Sequence, residues 1–241
     1  MSSDTTDPGP KEAVAIANRV LYMHDMVGPS GHVSVRDPDD DELVHINPLT
    51  ASRGEITPDH VVEVDLENEP QDPEAPRPVG EAEIHTSIYR EREDINAVLH
   101  LHPPVATLFG ISGTDLMPVH IRGSVLDGPV PVLDRPDKIT DRSDSELMLE
   151  AMGDSNQLLI RGHGSVVCDT NIKRVLARAM YIERNARFQY RASALGNPNP
   201  LTPEEVARIR EQNWKESSIE KRWHFYTWVA RQQGYLPESF E

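Results

Sequence analysis

The stretch that most constrains the fold is a short apolar run at residues 97–102, AVLHLH, which ends in two histidines and is followed by two prolines. If this run is a strand, side chains two positions apart point to the same face of the sheet. His100 and His102 would then lie side by side, as two imidazoles that can bind one divalent metal ion. The run therefore predicts a strand and part of a metal site.

Two further residues are candidates for the same site. His163 lies between glycines in the sequence RGHG at 161–164, and glycines let the backbone turn tightly and approach another element. Glu81 lies upstream of the histidine pair. Three neutral imidazoles and one carboxylate can form a metal site that keeps a position open for substrate. The spacing alone leaves open a second interpretation, in which these are partly buried histidines bonded to the backbone.

The charge of the chain excludes several classes of partner. Its 241 residues include 24 Lys and Arg against 40 Asp and Glu, a net charge of −16. That charge argues against nucleic acid and against anionic membranes as partners. There is no apolar run long enough to span a membrane, and the acidic N-terminus does not resemble a signal peptide. We therefore expect a cytoplasmic protein, and the lysine-poor composition fits either a high-salt host or an ordinary acidic enzyme.

Periodicity predicts strands that alternate with helices. The predicted strands are residues 32–36, 43–47, 61–66, 96–102, 130–133, 157–160 and 165–168, and the predicted helices are residues 11–24, 81–92, 143–152, one that ends at 195 and one that starts at 203. Ser143 is the expected N-cap of the third helix, and Asp169 or Thr170 that of the fourth. Cys168 is expected to be a packed small residue. This pattern predicts an α/β fold with a mostly antiparallel sheet between helical layers.

The chain divides into three predicted parts. Residues 1–10 form a loose tail, residues 11–200 form the main domain, and residues 201–241 form a helical extension that begins with the capping sequence TPEE. All three tryptophans lie in this extension, together with several other aromatic rings. So many large rings need burial, so the extension is expected to pack on the domain or on a neighbouring subunit.

The order of the motifs resembles the class II aldolase/adducin family over residues 11–196. The matching motifs are GHVSVR at 31–36, GEAEIH at 80–85, the H-x-H pair and the later RGHG. The resemblance implies a three-layer α/β/α sandwich and a homotetramer whose active site lies near a subunit boundary. It also implies a metal bound by His100, His102 and His163, with Glu81 as the catalytic acid/base. Zinc is the expected metal, with manganese, iron, cobalt and nickel as alternatives.

Departures from the sugar-phosphate members of the family point to its decarboxylase branch. Those members tend to have small hydroxylated residues and a glycine where this chain has NPLT at 47–50 and Val79-Gly80. These positions cradle the substrate phosphate in the family, and Asn-Pro also removes a backbone N–H. The sequences PVHIRG at 118–123 and YIERNAR at 181–187 resemble the decarboxylases that act on dihydroxyphthalate-type or carboxymuconic-semialdehyde-type acids.

Several residues are candidates for contact with the substrate. His32 and Ser34 lie in the segment that cradles the substrate in the family. Arg36, Arg53 and Arg122 can bind a carboxylate, with a surface ion pair as the alternative for each. Two further histidines fall near these motifs. His120 is the candidate for a second catalytic residue that reaches the site, from the next subunit, and the alternative is an ordinary core or surface histidine. His85 is expected to be a structural partner.

These residues predict a metal-dependent lyase that decarboxylates, or cleaves by a retro-aldol reaction, a small hydroxy or keto carboxylic acid. The electrons of the broken bond would collect as an enolate that the metal stabilises, while Glu81 moves a proton. Three alternatives remain open: a sugar-phosphate aldolase or epimerase, a non-haem iron oxygenase, and a non-catalytic adducin-like module. Adducin head domains are poor in the metal histidines that this chain keeps.

Overall fold

A seven-stranded sheet forms the centre of the computed structural model, which describes residues 7–240. The strands in this part of the chain are β1 (His32–Arg36), β2 (Val44–Ile46), β3 (Val62–Val64), β4 (Ala97–Leu101), β5 (Val132–Leu133), β6 (Gln157–Ile160) and β7 (Gly164–Asp169). Their order across the sheet is β3-β2-β1-β4-β7-β6-β5. All neighbours are antiparallel except β5 and β6, which are parallel. The predicted hairpin of β1 and β2 is confirmed.

Helices cover both faces of this sheet. Within residues 7–240 they are α1 (Pro10–Met23), α2 (Glu83–Glu91), α3 (Ala106–Ser112), α4 (Arg142–Met152), α5 (Ile172–Ser193), α6 (Pro203–Asn213) and α7 (Glu216–Gln232), with 3-10 helices at Pro58–His60 and Ile121–Val125. The first face packs on α1, α3, α5 and α7, and the second packs on α2 and α4. The predicted three-layer α/β/α sandwich is therefore confirmed. Of the predicted tail, residues 1–6 lie outside the described part, and Pro10 already belongs to α1. None of these helices is long and apolar enough to cross a membrane.

The alternation of side chains along β4 assigns its residues to the two faces. Ala97, Leu99 and Leu101 are fully buried in the core that contains α1 and α5. Val98 is buried in the core that contains α2 and α4. Since side chains two positions apart share a face, His100 points to the same side as Val98, toward α2.

Three predicted helix starts are wrong. The helix α2 begins at Glu83, so Glu81 lies in the turn before it and does not share a helical face with His85. The N-cap of α4 is Asp141, whose side chain accepts the Asp144 N–H, instead of the predicted Ser143.

The long helix α5 also starts at an unexpected cap. Its N-cap is Asn171, which accepts the Arg174 N–H, and neither Asp169 nor Thr170 has that role. Asp169 stays in β7 because its carboxylate accepts a hydrogen bond of 2.8 Å from Arg178 Nε on the next helix. The prediction for Cys168 is confirmed: it is fully buried, and burial raises the pKa of its thiol to about 12.

The C-terminal helices lie against the first face of the sandwich. The predicted capping box at the start of α6 is present, with Thr202 and Glu205 bonding each other's backbone N–H groups. Helix α7 packs on α1 and α5, and the aromatic rings that pack against this core are Trp214, Trp223, Tyr226, Tyr235 and Phe240. Two other rings of α7 stay more than half exposed, Phe225 at 56% and Trp228 at 52%.

Candidate metal centre

Three adjacent strands bring the three predicted ligand histidines together. His100 lies on β4, opposite His32 of β1 on one side and Val166 of β7 on the other. His102 follows the end of β4, where its N–H donates to Met26 O at 2.8 Å. His163 lies in the tight turn between β6 and β7, and its N–H donates to Ile160 O at 3.0 Å. The two strand ends and the hairpin turn therefore meet at the same edge of the sheet.

The imidazoles of His100, His102 and His163 form a compact group, which we call the histidine triad. One nitrogen from each ring lies within 4.8 Å of the others. The ring centroids are separated by 5.0 Å for His100 and His102, and by 4.9 and 5.6 Å from these two to His163. The expectation that His100 and His102 share one face, which followed from the period of the strand, agrees with this geometry.

The triad contains polar atoms that the protein leaves without partners. Both ring nitrogens of His100 and Nδ1 of His163 are buried and have no hydrogen-bond partner among the described residues. Buried nitrogens of this kind are costly unless a ligand meets them, by about 1–3 kcal/mol each. Burial and the neighbouring imidazoles hold the pKa of His100 well below its usual range, and burial and His163 lower that of His102. Neutral imidazoles are the form that binds metal, so these residues fit a divalent ion.

The carboxylate of Glu81 lies at the edge of the triad. Its Oε1 accepts the backbone N–H of Ile139 at 3.1 Å, and its Oε2 lies 3.9 Å from Nε2 of His163. The Glu81 side chain is buried, with only a tenth of its surface exposed. One carboxylate oxygen is therefore held by the backbone, while the other faces the triad.

Two more histidines extend the cluster away from the triad. The ring of His32 lies 5.1 Å from that of His100 and 5.7 Å from that of His85. His32 Nδ1 and His85 Nε2 are buried without a partner in the described chain. Burial lowers the pKa of His85 to about 3 and also lowers that of His32. His32 thus lies beside the triad. Its predicted contact with the substrate stays a prediction.

Ser34 is fully buried and bonds to His85 of this cluster. Its Oγ is hydrogen bonded to His85 Nδ1 at 2.7 Å and to the Tyr89 hydroxyl at 2.8 Å. Both of its bonds go to α2, and its contact with a substrate stays a prediction. Its place suggests that Ser34 and Tyr89 fix the ring orientation of His85.

Arg36 and Arg53 bond to backbone carbonyls in this chain, and their contact with a substrate carboxylate stays a prediction. The guanidinium of Arg36 is buried and donates to the carbonyl oxygens of Ile95, Asp41, Tyr89 and Arg92. It also lies four residues along β1 from His32, or roughly 13 Å at the rise of a strand. Arg53 donates to the carbonyls of Gly31, Pro48 and Ala51, and burial lowers its pKa to about 10. Both arginines donate hydrogen bonds to backbone carbonyls and so hold loop backbone in place.

His120 and Arg122 contact α5 instead of the triad within this chain. The ring of His120 stacks on Phe188 with centroids 4.2 Å apart, and the Arg122 guanidinium lies 4.7 Å from the centroid of Tyr181.

The two motifs that resembled the decarboxylases contact each other. Asn185 of YIERNAR accepts the Val119 N–H of PVHIRG at 3.0 Å, and a Cβ added at Gly123 would meet its side chain at 2.3 Å. These motifs therefore fix the backbone of the segment that carries His120.

Two partners of the site were not predicted from the sequence. Ile139 holds Glu81 through its backbone N–H, from a position 58 residues away, and no side-chain pattern encodes such a contact. Tyr89 lies one helical turn after His85, and this i, i+4 spacing is the signal that could have identified it.

Gly164 permits the close approach of β7 to the end of β4. A Cβ at this position would lie 2.2 Å from Leu101 O and 2.8 Å from Cδ2 of His102. The second glycine of the RGHG motif is therefore required for space, next to a ligand of the triad. The first, Gly162, has a φ of +68° and open space around it, so it serves only the turn.

Known proteins with similar sequences and structures identify the family and the fold. Residues 12–190 match the family described as Class II Aldolase and Adducin N-terminal domain. The 3,4-dihydroxyphthalate decarboxylase of Arthrobacter keyseri is 30% identical over 208 residues, which cover 80% of this chain and 83% of the relative. The 5-deoxy-D-ribulose 1-phosphate aldolase of Bacillus thuringiensis is 27% identical over 202 residues, which cover 84% and 93%.

A solved structure confirms the fold. The L-fuculose 1-phosphate aldolase from Glaciozyma antarctica superposes with a TM-score of 0.80 at 22% identity. The match covers 93% of this chain and 90% of the aldolase.

We expect Gly164→Ala to disrupt the triad while Gly162→Ala leaves it intact. The new methyl group at 164 would push β7 from β4 and displace His102, and overpacking of this kind costs about 1–3 kcal/mol. The methyl group at 162 meets no atom within 4 Å, so only the left-handed backbone adds strain, about 1–2 kcal/mol. Bound zinc measured by mass spectrometry, with thermal unfolding beside it, compares the two variants. Wild-type zinc binding by Gly164→Ala would contradict the expected role of the close approach.

Proposed function

Because this chain belongs to the class II aldolase and adducin family, we propose that it is a divalent-metal-dependent carbon–carbon lyase. Its substrate is a small hydroxy or keto carboxylic acid, which it decarboxylates or cleaves by a retro-aldol reaction. The observation that carries this proposal is the histidine triad, with ligand nitrogens within 4.8 Å of one another and the Glu81 carboxylate beside it.

The triad supplies the proposed metal ligands His100, His102 and His163. Three nitrogen donors fit zinc, and manganese, iron, cobalt and nickel bind similar donor sets. A bound divalent ion would act as a Lewis acid toward the negative charge that develops on a substrate oxygen when the carbon–carbon bond breaks. The protein supports this by lowering the pKa of His100 and of His102, which favours their neutral form, and by burying His100 completely.

Glu81 is the proposed acid/base. Its Oε1 is fixed by the Ile139 N–H, so proton transfer falls to Oε2, which faces the triad. In retro-aldol cleavage this oxygen would remove the proton of the substrate hydroxyl group. In decarboxylation it would first take up a proton, from a substrate hydroxyl group or from solvent, and then deliver it to the carbon that loses CO2. A carboxylate held at one oxygen keeps the other in a defined place, which is what proton transfer requires.

The preference for a carboxylic acid rests on the sequence around the site. Pro48 cannot donate a backbone N–H to a phosphate, and Val79 replaces a hydroxylated residue of the sugar-phosphate enzymes. The likeness to a decarboxylase at 30% identity supports this choice, and the likeness to a sugar-phosphate aldolase at 27% keeps that activity as the second candidate.

We also propose a homotetramer whose active site lies near a subunit boundary. In the isolated chain His120 stacks on Phe188 and does not contact the triad, so any catalytic role would act on the site of a neighbouring subunit. Trp228 is more than half exposed, as expected for a ring that packs against another subunit.

Replacement of both His100 and His102 with alanine should abolish binding of a divalent ion. Two of the three ligand nitrogens are lost, and the remaining imidazole of His163 cannot hold a metal alone. Zinc titration measured by calorimetry tests this, with His60→Ala as the control because His60 lies on the exposed Pro58–His60 helix. Full zinc occupancy in the double variant would refute the assignment of the ligands.

Glu81→Gln should keep the metal and lose most of the turnover. Glutamine still accepts the Ile139 N–H but cannot exchange a proton, and general acid–base groups contribute roughly 10²–10⁴-fold to rates. The kcat of the zinc-loaded variant is compared with the wild type, and its zinc content is measured in the same preparation. A near-normal rate would show that Glu81 only organises the loop at Ile139.

A substrate screen tests the reaction class. We expect the metal-loaded protein to release CO2 or an aldehyde from carboxylic acids that carry a hydroxyl or keto oxygen next to the breaking bond. Fuculose 1-phosphate and ribulose phosphates should be poor substrates, because the cradle for their phosphate lacks its donors. CO2 and aldehyde are measured separately. Efficient cleavage of a sugar phosphate would favour the second candidate.

Removal of residues 214–241 should lower activity and assembly together. These residues include α7 and its aromatic rings, so the truncated chain could fail to fold. Trp228→Gln is therefore tested beside it, because it changes only one exposed ring of the same helix. Light scattering measures the mass of each form. The matched control for Trp228→Gln is Leu195→Gln, at a residue that is 93% exposed. A fully active monomer of the intact chain would show that the site is complete within one subunit.

A further inference from the structure

A cavity between α5 and α7 concentrates positive charge in a strongly acidic chain. Its volume is about 730 Å³, and six of the 24 Lys and Arg residues line it, against a single acidic residue, Glu183. The six basic residues are Arg122, Arg184, Arg187, Arg191, Lys221 and Arg222. The whole chain has a net charge of −16, so this local excess of cations is opposite in sign to the chain as a whole.

Most of these cations have no acidic partner in the chain. Arg187 forms an ion pair with Glu183 at 2.7 Å. Within residues 7–240, the other five come within ion-pair distance of no carboxylate. Like charges gathered around one space repel each other and generate a positive potential inside it. Binding of an anion would relieve that repulsion.

Two of the guanidinium groups are held in place by one aromatic ring. The guanidinium carbons of Arg122 and Arg222 lie 4.7 and 5.0 Å from the ring centroid of Tyr181, and Arg222 Nε donates to the Tyr181 hydroxyl. Tyr181 is buried, so it fixes the positions of both arginines before any ligand arrives. Arginines fixed in this way lose less entropy when they bind a carboxylate or phosphate with two hydrogen bonds.

The walls also offer apolar surface and an unused polar atom. Phe188 and Phe225 line the cavity and are 42% and 56% exposed, and the ring of His24 packs edge-on against Tyr226 at 5.6 Å. Nε2 of His24 is buried and has no hydrogen-bond partner in the described part of the chain.

We propose that this cavity binds a small molecule that carries two or more carboxylate or phosphate groups. Its volume falls in the range of about 300–1,000 Å³ that is usual for small-molecule sites. The cavity lies on the α5 side of the sheet, and no residue of the histidine triad lines it. Arg122 therefore serves as an anion partner here and not at the triad. This inference does not depend on the proposed lyase activity, since it concerns binding alone.

Calorimetric titration with two probes tests the proposal and separates the two kinds of anion. The probes are tricarballylate, which carries three carboxylates, and inorganic phosphate. The cavity variant is Arg184→Gln with Lys221→Gln, because both side chains are exposed and their loss leaves the core unchanged. The matched control is Arg208→Gln with Lys215→Gln, which removes the same charges from exposed positions outside the cavity. Both variants keep the triad, so any binding there is common to all titrations.

We expect the wild type to bind at least one probe, more weakly as salt is added. The cavity variant should bind it about tenfold more weakly, as for the loss of two charged contacts, and the control should stay within about twofold of the wild type. The preferred probe identifies the anionic group. Equal weakening in both variants, or no binding to the wild type, would overturn the proposal. A third outcome would also overturn it: the wild type binds neither probe, and the cavity variant dissociates from an assembly that the wild type forms. The cavity would then be a contact between copies of the chain.

Discussion

The pairing of β4 with β1 on one side and β7 on the other is the interaction on which the rest of the structure depends. It places His100 opposite His32, and it brings the end of β4 to the turn that carries His163. The close contact at Gly164 lets β7 approach Leu101 O, and this approach sets the position of His102. The backbone that carries this site is therefore held by the hydrogen bonds of neighbouring strands in one sheet.

Such a site links folding to ligand binding. The triad joins residues that are some sixty positions apart in the chain, and the unfolded chain does not hold them together. A ligand that binds only the folded state stabilises it by mass action, by about 2.7 kcal/mol at a hundredfold excess over its Kd. The unpartnered buried nitrogens of His100 and His163 therefore destabilise the free protein locally, and a divalent ion bound to the triad would convert this cost into a gain in stability.

The sequence was sufficient for elements whose signals are local. The alternation around His100 and His102, the hairpin of β1 and β2 and the capping box at Thr202 all follow from neighbouring residues, and all are present. The errors come from long-range partners. Asp169 fails to cap α5 because Arg178 takes its carboxylate, and the guanidinium of Arg36 bonds to four backbone carbonyls that no local pattern indicates. Residue types indicated which groups could donate hydrogen bonds, but not which acceptor a buried arginine would find.

The contact between Glu81 and the backbone of Ile139 has a consequence for how the site can vary among related chains. The hydrogen bond uses the N–H group, so it is indifferent to which side chain occupies position 139, provided that the residue packs in the buried space there. Proline alone lacks the donor. A comparison of aligned side chains would accordingly pass over this position as an ordinary apolar site. The constraint would be visible only as the avoidance of a single amino acid and as a fixed length of the loop before α4.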